Sequence, residues 1–238
     1  MRATVVYFSG CAANYVDPDV GRAAIRVLER NSLVVSYPRQ RCCGMPQLAH
    51  GKLKGAEDRA RFNVASLARA PGDIVTTCTS CALMLKHYYP RLLGTAEAEA
   101  VSSRIYDLGE YLVLLQQKDR LDTSFQAISG AFLYHAPCHL KSLGAGLVER
   151  RLRLLGQIPG ISIAQVDRGC CGFAGGFGII RQNRALSLQI GTGLFEALRQ
   201  TNGCRAVTGC PGCKLQIEGE AGIPVIHPVQ LLQQAYCL

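Results

Sequence analysis

Ala3-Thr4-Val5-Val6-Tyr7-Phe8-Ser9-Gly10-Cys11 is an apolar, β-branched run that stops on a cysteine. The run predicts a strand over residues 3–8. The same order returns at Phe132-Leu133-Tyr134-His135-Ala136-Pro137-Cys138, where residues 132–135 predict a second strand. Each cysteine heads a set. Cys11 is followed by Cys42-Cys43-Gly44 and Cys78-Thr79-Ser80-Cys81, and Cys138 by Cys170-Cys171-Gly172 and Cys210-Pro211-Gly212-Cys213. The offsets between counterparts are 127, 128 and 132 residues, so the chain is an internal duplication.

The elements between the cysteines repeat as well. In the first half, strands are predicted at 3–8, 33–37, 73–77 and 104–106, with helices at 20–30, 55–69, 82–90 and 108–117. In the second half, strands are predicted at 132–135, 161–166, 205–208 and 224–227, with helices at 146–155, 184–199 and 229–235. Alternating strands and helices on short links predict an α/β fold of two pseudo-symmetric Rossmann-like halves with parallel sheets. The expected halves are 1–117 and 131–238, joined by a polar linker at 118–130. Every cysteine group follows a predicted strand, which places it at a carboxyl edge, where open α/β sheets bind ligands. One site per half is expected, and the two are expected to face each other.

Composition narrows the class. The 238 residues are 48% hydrophobic and 18% charged, a balance that excludes disorder and supports a sizeable core. No apolar run reaches the roughly 18 residues of a membrane span, and the N-terminus lacks a signal-peptide h-region. A cytoplasmic protein is expected, with any membrane association supplied by partner subunits. The net charge is +9, but the basic residues are scattered and tryptophan is absent, so nucleic acid is not expected as a partner. Twelve cysteines without an export signal point to metal or redox chemistry rather than to disulfides.

Three readings of the sets remain open. Zinc takes four ligands tetrahedrally, which would make a zinc-stabilised scaffold subunit. Each half offers five thiols, however, and two of them are adjacent, an arrangement better matched to a polynuclear iron–sulfur cluster. A dithiol redox motif at Cys210-Pro211-Gly212-Cys213 is the third reading. Cys204 and Cys237 fall outside the repeat and are expected to be ordinary thiols.

The doubled Cys…Cys-Cys-Gly…Cys-x-x-Cys pattern resembles the cysteine-rich CCG domains of the B-type subunits of heterodisulfide reductase and their relatives. Local wording is most similar to the branch formed by the C-type subunits of anaerobic glycerol-3-phosphate dehydrogenase. It is carried by Phe8-Ser9-Gly10-Cys11, Tyr134-His135-Ala136-Pro137-Cys138-His139, Cys170-Cys171-Gly172-Phe173-Ala174-Gly175 and Cys213-Lys214-Leu215-Gln216-Ile217-Glu218. The resemblance implies an oxidoreductase subunit with two 4Fe–4S clusters of non-cubane type. Cys11, Cys42, Cys43, Cys78 and Cys81 would hold one; Cys138, Cys170, Cys171, Cys210 and Cys213 would hold the other. It also implies disulfide/thiol redox chemistry or terminal electron transfer. The alternative is an electron relay between a flavin dehydrogenase and a quinone. The ferredoxin region of that branch, Cys-x-x-Cys-x-x-Cys-x-x-x-Cys-Pro, has no counterpart here, so a ferredoxin-type iron–sulfur subunit and a flavoprotein subunit are expected as partners.

Other residues complete the expectation. His135 and His139 flank Cys138 and are the candidate proton or hydrogen-bond donors at the second centre. His50 lies shortly after Cys42-Cys43-Gly44, and His227 is expected to be structural. Lys141, Arg181 and Lys214 lie near cysteine loops; they could offset cluster charge or bind an anionic substrate, or equally be surface charges. Gly175-Gly176-Phe177-Gly178 is read as backbone packed near the second centre rather than as a phosphate loop, because it lacks the Walker lysine.

Overall fold

A buried strand followed by an amphipathic helix is the unit from which the molecule is built. The computed structural model describes residues 3–201 and 203–238. Met1, Arg2 and Asn202, which the expected halves include, lie outside them. The chain divides into two compact units, residues 1–123 with Leu238, and residues 124–237.

The first unit runs β1 (Thr4–Tyr7), α1 (Pro18–Arg30), β2 (Val34–Ser36), α2 (Met45–Ala49), α3 (Leu53–Leu67), β3 (Asp73–Thr76), α4 (Thr79–Leu83), α5 (Tyr89–Leu93), α6 (Ala96–Ser102), β4 (Ile105–Asp107) and α7 (Leu108–Gln117). π-helical turns at Ala12–Val16 and Met84–Tyr88 complete it. The second runs β5 (Gly130–His135), α8 (Cys138–Lys141), α9 (Leu147–Leu155), β6 (Ile161–Val166), α10 (Arg184–Arg199), β7 (Arg205–Val207), α11 (Pro211–Ala221), β8 (Val225–Ile226) and α12 (Pro228–Ala235). Both sheets are four-stranded and wholly parallel, in the orders β2-β1-β3-β4 and β6-β5-β7-β8. The predicted α/β, two-half architecture is therefore observed.

The pairing registers superimpose the halves. Tyr7 lies opposite Val75 and Tyr134 opposite Val207, and a cysteine follows three residues after each partner. Val5, Val6 and Tyr7 are all buried; because neighbouring side chains point to opposite faces, the first sheet is covered on both. α1 shows why these helices form. Val20, Ala23, Ala24, Val27 and Leu28 recur at helical spacing and make its buried stripe, behind Pro18 in its first turn. The core of the second unit incorporates the cysteines: Cys171, Cys210 and Cys213 pack with Leu194, Phe195, Leu198, Ala206 and Ile217.

Differences from expectation have local causes. The helix expected over 82–90 begins instead at Thr79 and is interrupted by the π-helical turn, because Cys78 sits at its N-cap and draws the whole Thr79-Ser80-Cys81 segment into the first turn. α2, α6, α8 and α11 have no counterpart among the helices predicted above. α2 is five residues long, too short for periodicity to register. α6 is the Ala96–Ser102 run, signalled only by Thr95, whose Oγ1 accepts from Ala98 N at 3.2 Å. Residues 124–129 fold onto the second unit: the buried Phe125 packs on Tyr236 and Ile128 N donates to Pro159 O. His227 is structural as expected, its Nδ1 accepting from Val229 N at the start of α12.

One cation closes the α3–β3 connection. Arg104 donates to the carbonyls of Leu67, Ala70 and Gly72 at 3.0, 2.9 and 2.8 Å. Arg104→Ala is expected to cost about 1–3 kcal/mol, since the bonds come from a charged donor. The loss should appear as faster amide exchange in β3 and β4 with exchange in β5–β8 unchanged.

Candidate metal centre

Three loops per unit converge because three successive parallel strands end at one edge of the sheet. In the first unit, Cys11 follows β1 and caps the π-helical turn, Cys42 and Cys43 follow β2, and Cys78 caps α4 after β3 with Cys81 inside its first turn. In the second, Cys138 opens α8, Cys170 and Cys171 follow β6, and Cys210 caps α11 with Cys213 inside it. None of the twelve cysteines is in a disulfide.

The sulfurs form two chains of neighbours in the same order. Cys11 meets Cys42, Cys42 meets Cys43, Cys43 meets Cys81, and Cys81 meets Cys78. Cys138 meets Cys170, Cys170 meets Cys171, Cys171 meets Cys213, and Cys213 meets Cys210. The Cys171 and Cys213 sulfurs are 3.0 Å apart. Each chain is graded in burial. Cys43, Cys78 and Cys81 are buried behind the half-buried Cys11 and Cys42; Cys171, Cys210 and Cys213 are buried behind the exposed Cys138 and half-buried Cys170.

Crowding polarises the thiols. Donation from Cys11 and Cys43 holds Cys42 far below the ordinary thiol range, at about 2, and Gly44 N–H adds to it. Donation from Cys138 and Cys171 does the same to Cys170, also at about 2, where Gly172 N lies 3.3 Å from the sulfur. Cys11, Cys43, Cys81, Cys138, Cys171 and Cys213 are pushed up, first by the hydrogen bonds they give to neighbouring sulfurs and also by burial. A set that ionises once resists ionising again unless a cation joins it. Five converging thiols, three of them out of water, therefore fit a multinuclear cation better than a single ion with four ligands. The backbone makes room for such a group: a β-carbon at Gly10 would stand 2.9 Å from the Cys81 sulfur. Gly172, at φ +84°, passes so close to α10 that a β-carbon there would meet the Ser187 carbonyl at 1.9 Å.

Polar residues with no motif hold the Cys-Cys loops. In the first unit, buried Asn63 accepts from Arg41 N at 2.8 Å and donates to Tyr89 Oη at 2.8 Å and to the Cys42 carbonyl at 3.4 Å. Tyr89 in turn donates to the Cys43 carbonyl at 3.0 Å. Gln40 ties the Cys11 loop to the same place, bonding Gly10 N and the Tyr7 carbonyl. In the second unit, Ser187 donates to the Gly172 carbonyl at 2.9 Å, Gln216 to Ser187 at 2.8 Å, and Arg184 to Gln216 at 3.0 Å. A signal for these residues existed. Asn63 and Ser187 each occupy a core position on a helical stripe, one among Ala56, Ala60, Val64 and Leu67, the other among Gly191, Leu194, Phe195 and Leu198.

The candidates outside the sets are distributed as follows. His135 is buried, its nearer ring nitrogen and the sulfurs of Cys171 and Cys213 all lying within 4.8 Å of one another. Burial pulls its ring down to about 4, so it is neutral in ordinary buffers. His139 and His50 are half-buried. Lys141 pairs with Asp167 at 2.8 Å and Lys214 reaches Glu218 at 4.0 Å; Arg181 is exposed. The glycine run after Cys171 packs its backbone on α10, where a β-carbon at Gly178 would meet Ser187 Oγ at 2.3 Å. No helix among the described residues is long and apolar enough to cross a membrane.

The fold and its two sulfur sets define a duplicated, cysteine-rich α/β protein. Residues 5–86 and 132–218 each match the CCG cysteine-rich domain, and the chain belongs to that family. It is 31% identical over 236 residues to the C-type subunit of the anaerobic glycerol-3-phosphate dehydrogenase of Escherichia coli K12, covering 97% of this chain and 59% of that protein. It is 32% identical over 240 residues to the B-type subunit of the fumarate reductase (CoM/CoB) of Methanothermobacter marburgensis, covering 97% of this chain and 46% of that one. Lactate utilization protein A of Geobacillus thermodenitrificans is 28% identical over 240 residues, covering 96% of this chain and 98% of that protein. The chain thus spans 59% and 46% of the first two relatives. In fold it is similar to a hypothetical protein from Helicobacter pylori, with a TM-score of 0.60 and 13% identity over 99% of this chain and 49% of that one.

Asn63→Ala removes the bond that Tyr89 Oη accepts and the acceptor of the Arg41 N–H, at a cost of about 1–3 kcal/mol. Alkylation of the metal-free protein, followed by mass spectrometry, should then reach Cys43 faster than in the unaltered chain, with Cys171 unchanged. Ser187→Ala should show the converse.

Proposed function

We propose that this chain is an iron–sulfur subunit of an oxidoreductase complex and carries two 4Fe–4S clusters, one per unit. The observation that carries this reading is the recurrence of one five-sulfur order in both units, Cys11-Cys42-Cys43-Cys81-Cys78 and Cys138-Cys170-Cys171-Cys213-Cys210. Five thiols per cluster exceed the usual four, which supports a non-cubane type. Clusters bound there supply one-electron redox chemistry.

The protein's own residues supply the setting. Cys43, Cys78 and Cys81, and their counterparts Cys171, Cys210 and Cys213, hold the inner side of each centre away from water. The Asn63–Tyr89 and Ser187–Gln216 networks fix the adjacent cysteines, so little order has to be gained on binding. The exposed Cys138 and half-buried Cys11, Cys42 and Cys170 leave each centre open at its outer side. That opening is where electrons are exchanged with a partner or where a disulfide is reduced. Two relatives are named as subunits of a dehydrogenase and of a reductase, which supports activity inside a complex with a ferredoxin-type subunit and a flavoprotein subunit. Any membrane contact would come through those partners. The retention of all ten cysteines supports disulfide/thiol chemistry of the heterodisulfide reductase kind; the glycerol-3-phosphate dehydrogenase relative supports a relay from a flavoprotein to a quinone.

Anaerobically purified protein is expected to hold about eight irons and as many acid-labile sulfides. Cys43→Ser and Cys171→Ser should each remove about half of both. Zinc without sulfide would overturn the assignment in favour of a scaffold. With the partner complex reduced, turnover of added disulfides identifies the thiol chemistry, and quinone reduction without disulfide turnover identifies the relay.

A further inference from the structure

We infer that His135 donates a hydrogen bond to the sulfur of the second centre that has no equivalent in the first, so that the two centres are unequal in redox potential. The inference rests on the iron–sulfur reading above and adds an assignment to it. His135 is 1% exposed, and neither ring nitrogen has a hydrogen-bond partner. Buried polar groups are almost always paired, so a fully orphaned imidazole needs an account. Its surroundings supply one: a ring nitrogen and the sulfurs of Cys171 and Cys213 lie within 4.8 Å of one another. In either protonation state the imidazole carries at least one N–H.

The duplication provides the comparison. His135 lies three residues before Cys138; three residues before Cys11 stands Phe8. The strand registers agree, because the residue before each is a tyrosine paired with the valine that precedes a Cys-x-x-Cys by three, Tyr7 with Val75 and Tyr134 with Val207. Phe8 is fully buried and has nothing to donate. The two positions thus share depth and backbone setting but differ in one N–H. Five thiols already exceed the usual four ligands, so the ring is not needed as a ligand. An N–H directed at cluster sulfur favours the more negative, reduced state and raises the potential. For a bond to a charged acceptor the effect should be about tenfold in the reduction equilibrium, or about 59 mV for one electron.

The test is an anaerobic redox titration of the full chain, followed by electron paramagnetic resonance and by iron and sulfide assays. His135→Phe should keep its iron and sulfide while one midpoint falls by about 59 mV and the other stays. Phe8→His should raise that other midpoint. The metal-free His135→Phe protein should melt no lower than the metal-free parent, because it loses two unpaired buried nitrogens. Loss of about half the iron from His135→Phe would make the ring a ligand and overturn the donor role. Unchanged midpoints at full iron content overturn it as well. If His135→Phe does not fold, Phe8→His decides alone, and an unmoved first-centre midpoint is a negative answer. A parent protein without iron or sulfide would remove the iron–sulfur reading, and this inference with it.

Discussion

Sulfurs brought into contact resist ionising together, and each unit of this protein brings five of them to one sheet edge. The rest of each unit follows from that constraint. Parallel strands are needed because only they end side by side at a single edge. Helices start on Cys78 and Cys210 because an N-terminus turns backbone N–H groups toward the capping residue. Glycine follows each adjacent pair because the chain must turn there at positive φ, +93° at Gly44 and +84° at Gly172. The buried sulfurs also belong to the hydrophobic core, so positioning a ligand and packing the interior are one operation in the second unit.

Duplication preserved the sulfurs and let their supports diverge. An asparagine and a tyrosine clasp one Cys-Cys loop, while a serine, a glutamine and an arginine clasp the other. What both solutions share is a polar residue at a core position of a long helix downstream of the loop, in α3 and in α10. The carbonyls of an irregular loop need partners when buried, and any donor of suitable reach meets that need. The cysteines, in contrast, admit no substitute of equal chemistry.

This explains what was legible in the sequence. The succession of strands and helices along the chain, the parallel sheets and the placement of the cysteine groups could be read from spacing, since β-branched runs and repeated motifs carry their own period. The short helices α2 and α6 could not, because five to seven residues are too few to display a stripe. The helix after Cys78 was expected late because Thr79 and Ser80 have weak helical preference, which its N-terminal cap and the packing of Cys81 overcome. Asn63, Tyr89, Ser187 and Gln216 belong to no motif, and only three-dimensional contact reveals what they hold. Likewise, spacing placed Lys141 and Lys214 near the cysteine loops but could not show the carboxylate that each one faces.

The clasped loops have a bearing on the life of the polypeptide after synthesis. A ligand that binds only the folded state adds its binding free energy to that state's stability. Because each cysteine set lies within its own compact unit, that gain accrues separately to residues 1–123 and 124–237. On the proposed reading of one cluster per unit, a newly made chain would reach protease-resistant maturity in two instalments, each unit becoming firm only when its own cysteine set is filled.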